Sequence, residues 1–209
     1  MKSPFATPLF RSVALFAVIA FSANAHSAKL TIHVADVAGA PAADAVVYAE
    51  AATGKPAIKP GNPATIEQKG RMFLPAVTVI QTGTSVSFPN HDTVRHQVYS
   101  FSPAKVFELK LYSGTSSEPM VFDKPGTVVI GCNIHDQMVA YIQVVDTPWF
   151  GKTDSSGKAV IENLPAGKYV LKVWHRAFAP GAAIPEQLVT VSNSDITMPL
   201  SLAIKTDKK

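Results

Sequence analysis

From residue 30 onward, hydrophobic and polar residues alternate in short runs that turn-forming residues interrupt. Leu30-Thr31-Ile32-His33-Val34 alternates cleanly, and Ala45-Val46-Val47-Tyr48 less so, with Gly39, Pro41 and Ala42 as a turn between them. A loop rich in Gly and Pro covers Gly54 to Pro63. Further strands are predicted over 72–80, 84–88, 96–101, 105–112, 118–122, 126–131 and 138–145. Turn residues separate most of them: Thr82-Gly83, Pro89-Asn90, Ser102-Pro103, Ser113-Gly114 and Lys124-Pro125-Gly126. After Pro148 the texture changes. Thr153-Asp154-Ser155-Ser156-Gly157 reads as a turn, and Ala159–Ile161, Tyr169–Trp174, Leu188–Val191 and Ile196–Leu202 read as strands. No segment sustains a helical period, so the predicted fold class is all-β, a sandwich or barrel.

The first 25 residues have a different pattern. Lys2 and Arg11 precede an apolar run from Val13 to Phe21, and Ala23-Asn24-Ala25 follows as a small-residue cleavage site; His26-Ser27-Ala28 offers a weaker one after Ala28. This order predicts a signal peptide over 1–25 and export to the periplasm. The apolar run is shorter than the roughly 20 residues a membrane span requires, and no later run is longer, so no transmembrane anchor is expected after cleavage. Hydrophobic residues make up 47% of the 209-residue chain and charged ones only 16%, which fits a well-buried globular protein and argues against disorder. Without Lys2 and Arg11 the net charge falls from +4 to +2. The remaining cations are scattered, with no basic stripe of the kind nucleic-acid binding needs. The chain has one cysteine, so it forms no internal disulfide. In an oxidising compartment a lone thiol is a liability unless it is buried or holds a metal.

The stretch from Gly157 to Tyr169, with an Asp-x-x-Gly turn before Leu164-Pro165-Ala166-Gly167-Lys168-Tyr169, resembles the carboxypeptidase regulatory, transthyretin-like β-sandwich. The opening hairpin of that family resembles Val37 to Val47, about 100 positions earlier. The resemblance implies a discontinuous small sandwich of 29–52 with 147–205, with 62–146 inserted into it. The alternative is two domains in tandem, 29–146 and 147–205.

The segment Gly131-Cys132-Asn133-Ile134-His135-Asp136-Gln137-Met138 carries the chemistry. Its Cys-x2-His-x2-Met spacing places a thiolate, an imidazole and a thioether on one tight loop between two apolar strands. Such soft ligands select copper over hard cations, and two histidines and a cysteine with a weak axial methionine form a type 1 copper site. The loop supplies one histidine; the candidate for the other is His96, in Asn90-His91-Asp92-Thr93-Val94-Arg95-His96-Gln97-Val98. Here the chain resembles the cupredoxins, small blue copper proteins of the plastocyanin and amicyanin kind. Asn90, Asp92, His96 and Val98 match their Asn-x-Asp-x-x-x-His-x-Val segment, and Cys132, His135 and Met138 match their ligand loop at amicyanin's short spacing. The resemblance covers about residues 64–146 and extends to exported bacterial methylamine-utilisation or cupredoxin-like proteins. It implies a Greek-key β-sandwich holding one type 1 Cu(I)/Cu(II) ion on His96, Cys132, His135 and Met138. It also implies that Asn90, behind the ligands, ties the His96 segment to the Cys132 segment, and that His135 is the electron port. Ile134, Pro89 and Val139 would form an apolar rim for a transient redox protein partner.

The other histidines read more plainly. His91 is expected to be a solvated loop residue, with proton uptake or an alternative ligand set as its other reading. His33 alternates with core positions and should face solvent; His175, beside Trp174, should be structural. His26 would be a chelating N-terminus only if cleavage follows Ala25. Met120 is expected in a core strand. The expected function is single-electron transfer by an exported blue copper protein. The alternative is a periplasmic copper chaperone or store without redox turnover. Multicopper enzymes carry paired His-x-His motifs, and none of the six histidines forms one, so an enzyme ranks last.

Overall fold

The computed structural model describes residues 27–114, 118–179 and 181–206. The predicted signal segment 1–25 and His26 lie outside the described residues. Among the described residues there is no helix, and the fold is all-β. In chain order the strands are β1 (Ser27–Ala35), β2 (Val46–Ala51), β3 (Ala64–Thr65), β4 (Glu67–Gln68), β5 (Phe73–Leu74), β6 (Val77–Gln81), β7 (Thr84–Ser87), β8 (His96–Ser102) and β9 (Lys105–Tyr112). They continue with β10 (Met120–Phe122), β11 (Gly126–Gly131), β12 (Val139–Val145), β13 (Phe150–Lys152), β14 (Lys158–Pro165), β15 (Gly167–Trp174), β16 (Glu186–Val191) and β17 (Ile196–Ser201). The predicted strand over 72–80 is broken into β5 and β6 at Pro75 and Ala76, because proline has no N–H to give to a ladder. Strands β3, β4 and β13 are too short for any alternation to announce them.

These strands surround two separate cores. One five-stranded sheet, in the order β6-β12-β11-β8-β9, and a smaller sheet, β10-β7-β3, enclose a core of residues between Ile66 and Val144. Alternation along β11 and β12 explains the inner layer: Val128, Ile130, Ala140, Ile142 and Val144 point inward and are fully buried or nearly so. Each of these valines and isoleucines contributes roughly 1.5–3 kcal/mol on burial. His96 and Cys132 lie at one end of this core and Met138 lies within it, because β8 begins at His96 and the 132–138 loop joins β11 to β12.

The second core draws on both ends of the described chain, from Ala28 to Ala49 and from Ala159 to Ile204. Strand β1 lies between β14, antiparallel, and β17, parallel; β2 lies between β13 and β15, with β16 at the edge. The Asp-x-x-Gly turn is explained by crowding: Gly157 has φ +76°, and a Cβ there would stand 2.3 Å from the Val34 carbonyl oxygen. Thr153 ties the turn to the first hairpin, its hydroxyl donating to Ala42 O (2.6 Å) and accepting from Ala45 N–H (2.8 Å). The Tyr169 hydroxyl donates to Pro165 O at 2.9 Å, closing the Leu-Pro-x-Gly-x-Tyr segment on itself.

A third, smaller cluster joins the two. Val46, Tyr48 and Trp174 from the second sandwich pack on Val77 and Val145 of the five-stranded sheet, and the rings of Tyr141 and Trp174 stand 5.6 Å apart. Lys152 bridges the same junction, donating to Val77 O at 2.9 Å while paired with Asp44 at 2.7 Å.

Candidate metal centre

The ligand loop is short because its backbone closes early. After Gly131 leaves β11, the Met138 N–H donates to His135 O at 2.9 Å and the Val139 N–H to Gln137 O at 3.0 Å, which returns the chain to β12 within seven residues. Cys132 is buried, Met138 fully so, and His135 half-buried, while Asn133, Ile134, Asp136 and Gln137 face solvent. The fold brings three of the four candidate ligands together. His96, Cys132 and His135 offer ligand atoms that all lie within 4.8 Å of one another. The two Nδ1 atoms are 3.1 Å apart, and Cys132 Sγ lies 4.0 Å from His135 Nδ1. Met138 belongs to the same buried cluster as Cys132.

The hydrogen bonds around His96 determine which of its nitrogens is available. His96 is fully buried, and its Nε2 lies 2.8 Å from the Asp92 carboxylate. A carboxylate only accepts, so Nε2 is the donor of this bond, which leaves Nδ1 facing His135. Asp92 is itself held by the tip of the β4–β5 hairpin: the Gly70 N–H donates to it at 2.7 Å and the Arg71 N–H at 2.9 Å. The Arg71 N–H above all, then His96 and the Gly70 N–H, hold the Asp92 carboxyl down at about 2 against the opposing effect of desolvation. A carboxylate that fixes the outer nitrogen of a ligating histidine sets the ring's tautomer and orientation. In the sequence Asp92 stands in the motif with no role of its own. A carboxylate four residues before a candidate ligand is a signal the sequence carries, but its aim depends on donors 21 and 22 residues upstream.

The role expected of Asn90 needs correction. Its side-chain N–H groups donate to Val94 O and Tyr112 O, both at 2.9 Å, and its Oδ1 accepts from the Asp92 N–H at 2.9 Å. Among the described residues these partners, with Gly114 O for its N–H, do not include the Cys132 segment. Asn90 instead folds its own loop and fastens that loop to the end of β9, which orders the Asp92–His96 pair. Gln68 supports the same loop from beneath. It is fully buried, its Nε2 donates to Phe88 O (3.0 Å) and Tyr112 Oη (2.6 Å), and its backbone bonds to Pro89 and His91.

The remaining candidates lie elsewhere. His91 and His33 are exposed. His175 is buried, with Nε2 3.1 Å from Ala43 O and Nδ1 accepting the Ala177 N–H at 3.1 Å, so backbone occupies both nitrogens. Met120 is half-buried against the first core, opposite Val86.

No family model matches the sequence, and no curated relative matches it either. Solved structures do. The Cu-containing nitrite reductase from Thermus scotoductus SA-01 is 29% identical, over 46% of this chain and 25% of its own, with a TM-score of 0.38. A purple cupredoxin from Nitrosopumilus maritimus is 24% identical over 39% of this chain and 99% of its own, with a TM-score of 0.33. The similarity is to cupredoxins. A reduced amicyanin variant matches at 14% identity over 47% of this chain and 99% of its own, with a TM-score of 0.37. These alignments cover less than half of this chain, and the chain spans a quarter of the length of the nitrite reductase. Among the described residues no helix is long and apolar enough to cross a membrane.

Proposed function

We propose that the protein is an exported type 1 copper protein that passes single electrons, with one ion held by His96, Cys132, His135 and Met138. One observation carries this reading: two imidazole nitrogens and a cysteine sulfur converge within 4.8 Å at the end of a β-sandwich, with no carboxylate among them. Two nitrogens and a sulfur so close together fit one ion of borderline or soft character, and the donor set excludes the oxygen-seeking cations. The two nitrogens stand 3.1 Å apart and the sulfur 4.0 Å from His135 Nδ1, a cluster compact enough to converge on one ion. Bound there, copper supplies one-electron exchange between Cu(I) and Cu(II).

The protein's own groups hold the site still. Asp92, braced by the 69–72 hairpin, fixes His96. Asn90 and Gln68 hold the loop that carries both. Buried Cys132 and Met138 keep water from the inner side. A site whose ligands do not move between oxidation states needs little reorganisation for electron transfer, and rigid strands are its natural support. His135 is half-buried, with Ile134 at 51% exposure before it in the loop and Val139 at 42% after it, and Pro89 is half-buried. This apolar rim suits brief contact with a redox protein partner. The same reading takes 62–146 as the copper module, inserted into a transthyretin-like sandwich of 29–52 with 147–205, in the periplasm after removal of 1–25.

Voltammetry of the copper-loaded protein tests the function directly. A reversible one-electron wave, with copper retained against a weak chelator in both oxidation states, is expected. Absence of the wave together with ready loss of copper would make the protein a chaperone or store instead.

A further inference from the structure

The outer face of the five-stranded sheet carries an apolar row that crosses every strand. In register, Val77 of β6 lies beside Tyr141 of β12, and Tyr141 beside Val129 of β11. The pairing of Gly131 with Tyr99 carries the row on to Phe101 of β8, and Phe101 pairs with Val106 of the edge strand β9. The second sandwich covers one end of this row: Val46, Tyr48 and Trp174 pack over Val77 and Tyr141. Among the described residues nothing covers the other end. Phe101 is 79% exposed, Val106 66% and Val129 41%. Tyr99 lies beside Phe101, with ring centroids 5.2 Å apart, and is seated on Gly131, where a Cβ would come within 3.0 Å of its ring.

We propose that a second copy of this chain covers the open end of the row, face to face about a two-fold axis. The chain itself shows the mode of packing, because the covered end of the same row is closed by another flat sheet face bearing aromatic and β-branched side chains. Charge favours a like surface over a strongly charged partner. Glu108 and Lys110 flank the row on β9, both exposed, one of each sign two residues apart. A two-fold copy therefore offers lysine to glutamate and glutamate to lysine, as isologous interfaces require. The apolar contact is small beside the roughly 1,200–2,000 Å² of a stable interface, so the dimer is weak, with a dissociation constant on the order of 10–100 µM. None of the four proposed copper ligands lies in the row, so this inference does not depend on the copper reading.

Sedimentation equilibrium of the whole protein over a range of concentrations tests it. A monomer–dimer equilibrium is expected. Phe101→Asp and, separately, Val106→Lys should raise the dissociation constant by more than about tenfold. Because both side chains point into solvent, neither change disturbs the core. Leu188→Asp, which alters a 77% exposed apolar residue on the other sandwich, should leave the equilibrium unchanged. A monomer at every concentration would overturn the proposal, as would a dimer indifferent to both Phe101→Asp and Val106→Lys.

Discussion

Each of the two sandwiches buries a histidine, and the pair differ in what their nitrogens do. His175 in the terminal sandwich gives one nitrogen to the Ala43 carbonyl and the other to the Ala177 N–H, so nothing is left over for a ligand. His96 in the other sandwich has its outer nitrogen held by Asp92, and its inner nitrogen looks across 3.1 Å at another imidazole with a thiol beside it. Burial alone therefore does not distinguish a structural histidine from a metal ligand. The distinguishing feature is whether the hydrogen bonds exhaust the side chain or orient it. The same contrast holds for the carboxylates: Asp36 spends its oxygens on Ala38, Ala40 and Thr206, pinning a loop to the C-terminal stretch, whereas Asp92 aims at a ring.

The largest expected effect tests the terminal sandwich. Gly157→Val forces a Cβ onto the Val34 carbonyl at a positive φ, and should cost about 3–5 kcal/mol in urea unfolding. A cost under about 1 kcal/mol would show that the turn yields easily. His175→Ala should lose about 2–4 kcal/mol of stability through orphaned backbone groups and a cavity, with copper binding intact. His96→Ala should lose copper affinity by more than about a hundredfold, beyond the range of outer-shell effects. Calorimetric unfolding and copper titration of both variants would expose any exchange of these roles. Asp92→Asn should fall in between, with a fold that survives and copper affinity lowered by about 10–100-fold, since the amide cannot hold Nε2–H as a carboxylate does.

The smallest effect is on pH dependence. Burial holds His175 below the usual histidine pKa, so the folded protein binds this proton less readily than the unfolded chain. Its neutral form then supports the fold above the unfolded value of about 6.5, and that support is lost as the pH falls below it. His175→Gln should flatten the acid side of the unfolding midpoint against pH. An unchanged slope would mean that His175 titrates as freely in the fold as outside it.

Much of this was legible in the chain. Alternation located most of the longer strands, and the Cys-x2-His-x2-Met loop with His96 identified the group that the fold brings together. What remained hidden depends on partners far away in sequence. The aim of Asp92 is set by N–H groups at 70 and 71, and His175 is satisfied by a carbonyl at 43. Pro75 divides a run that alternation reads as continuous, and Asn90 bonds to Val94 and Tyr112 where the Cys132 segment was expected. Alternation does not encode the pairing of β1 with β14 and β17, which joins residues more than 100 positions apart; only the resemblance to a discontinuous small sandwich brings 29–52 and 147–205 together in the sequence.

The visible spectrum of the protein loaded with Cu(II), before and after ascorbate, tests the central claim most directly. Ligation by Cys132 predicts an intense thiolate-to-copper charge-transfer band that bleaches on reduction and is absent in Cys132→Ser. A colourless protein with copper bound, or a band that survives Cys132→Ser, would contradict it.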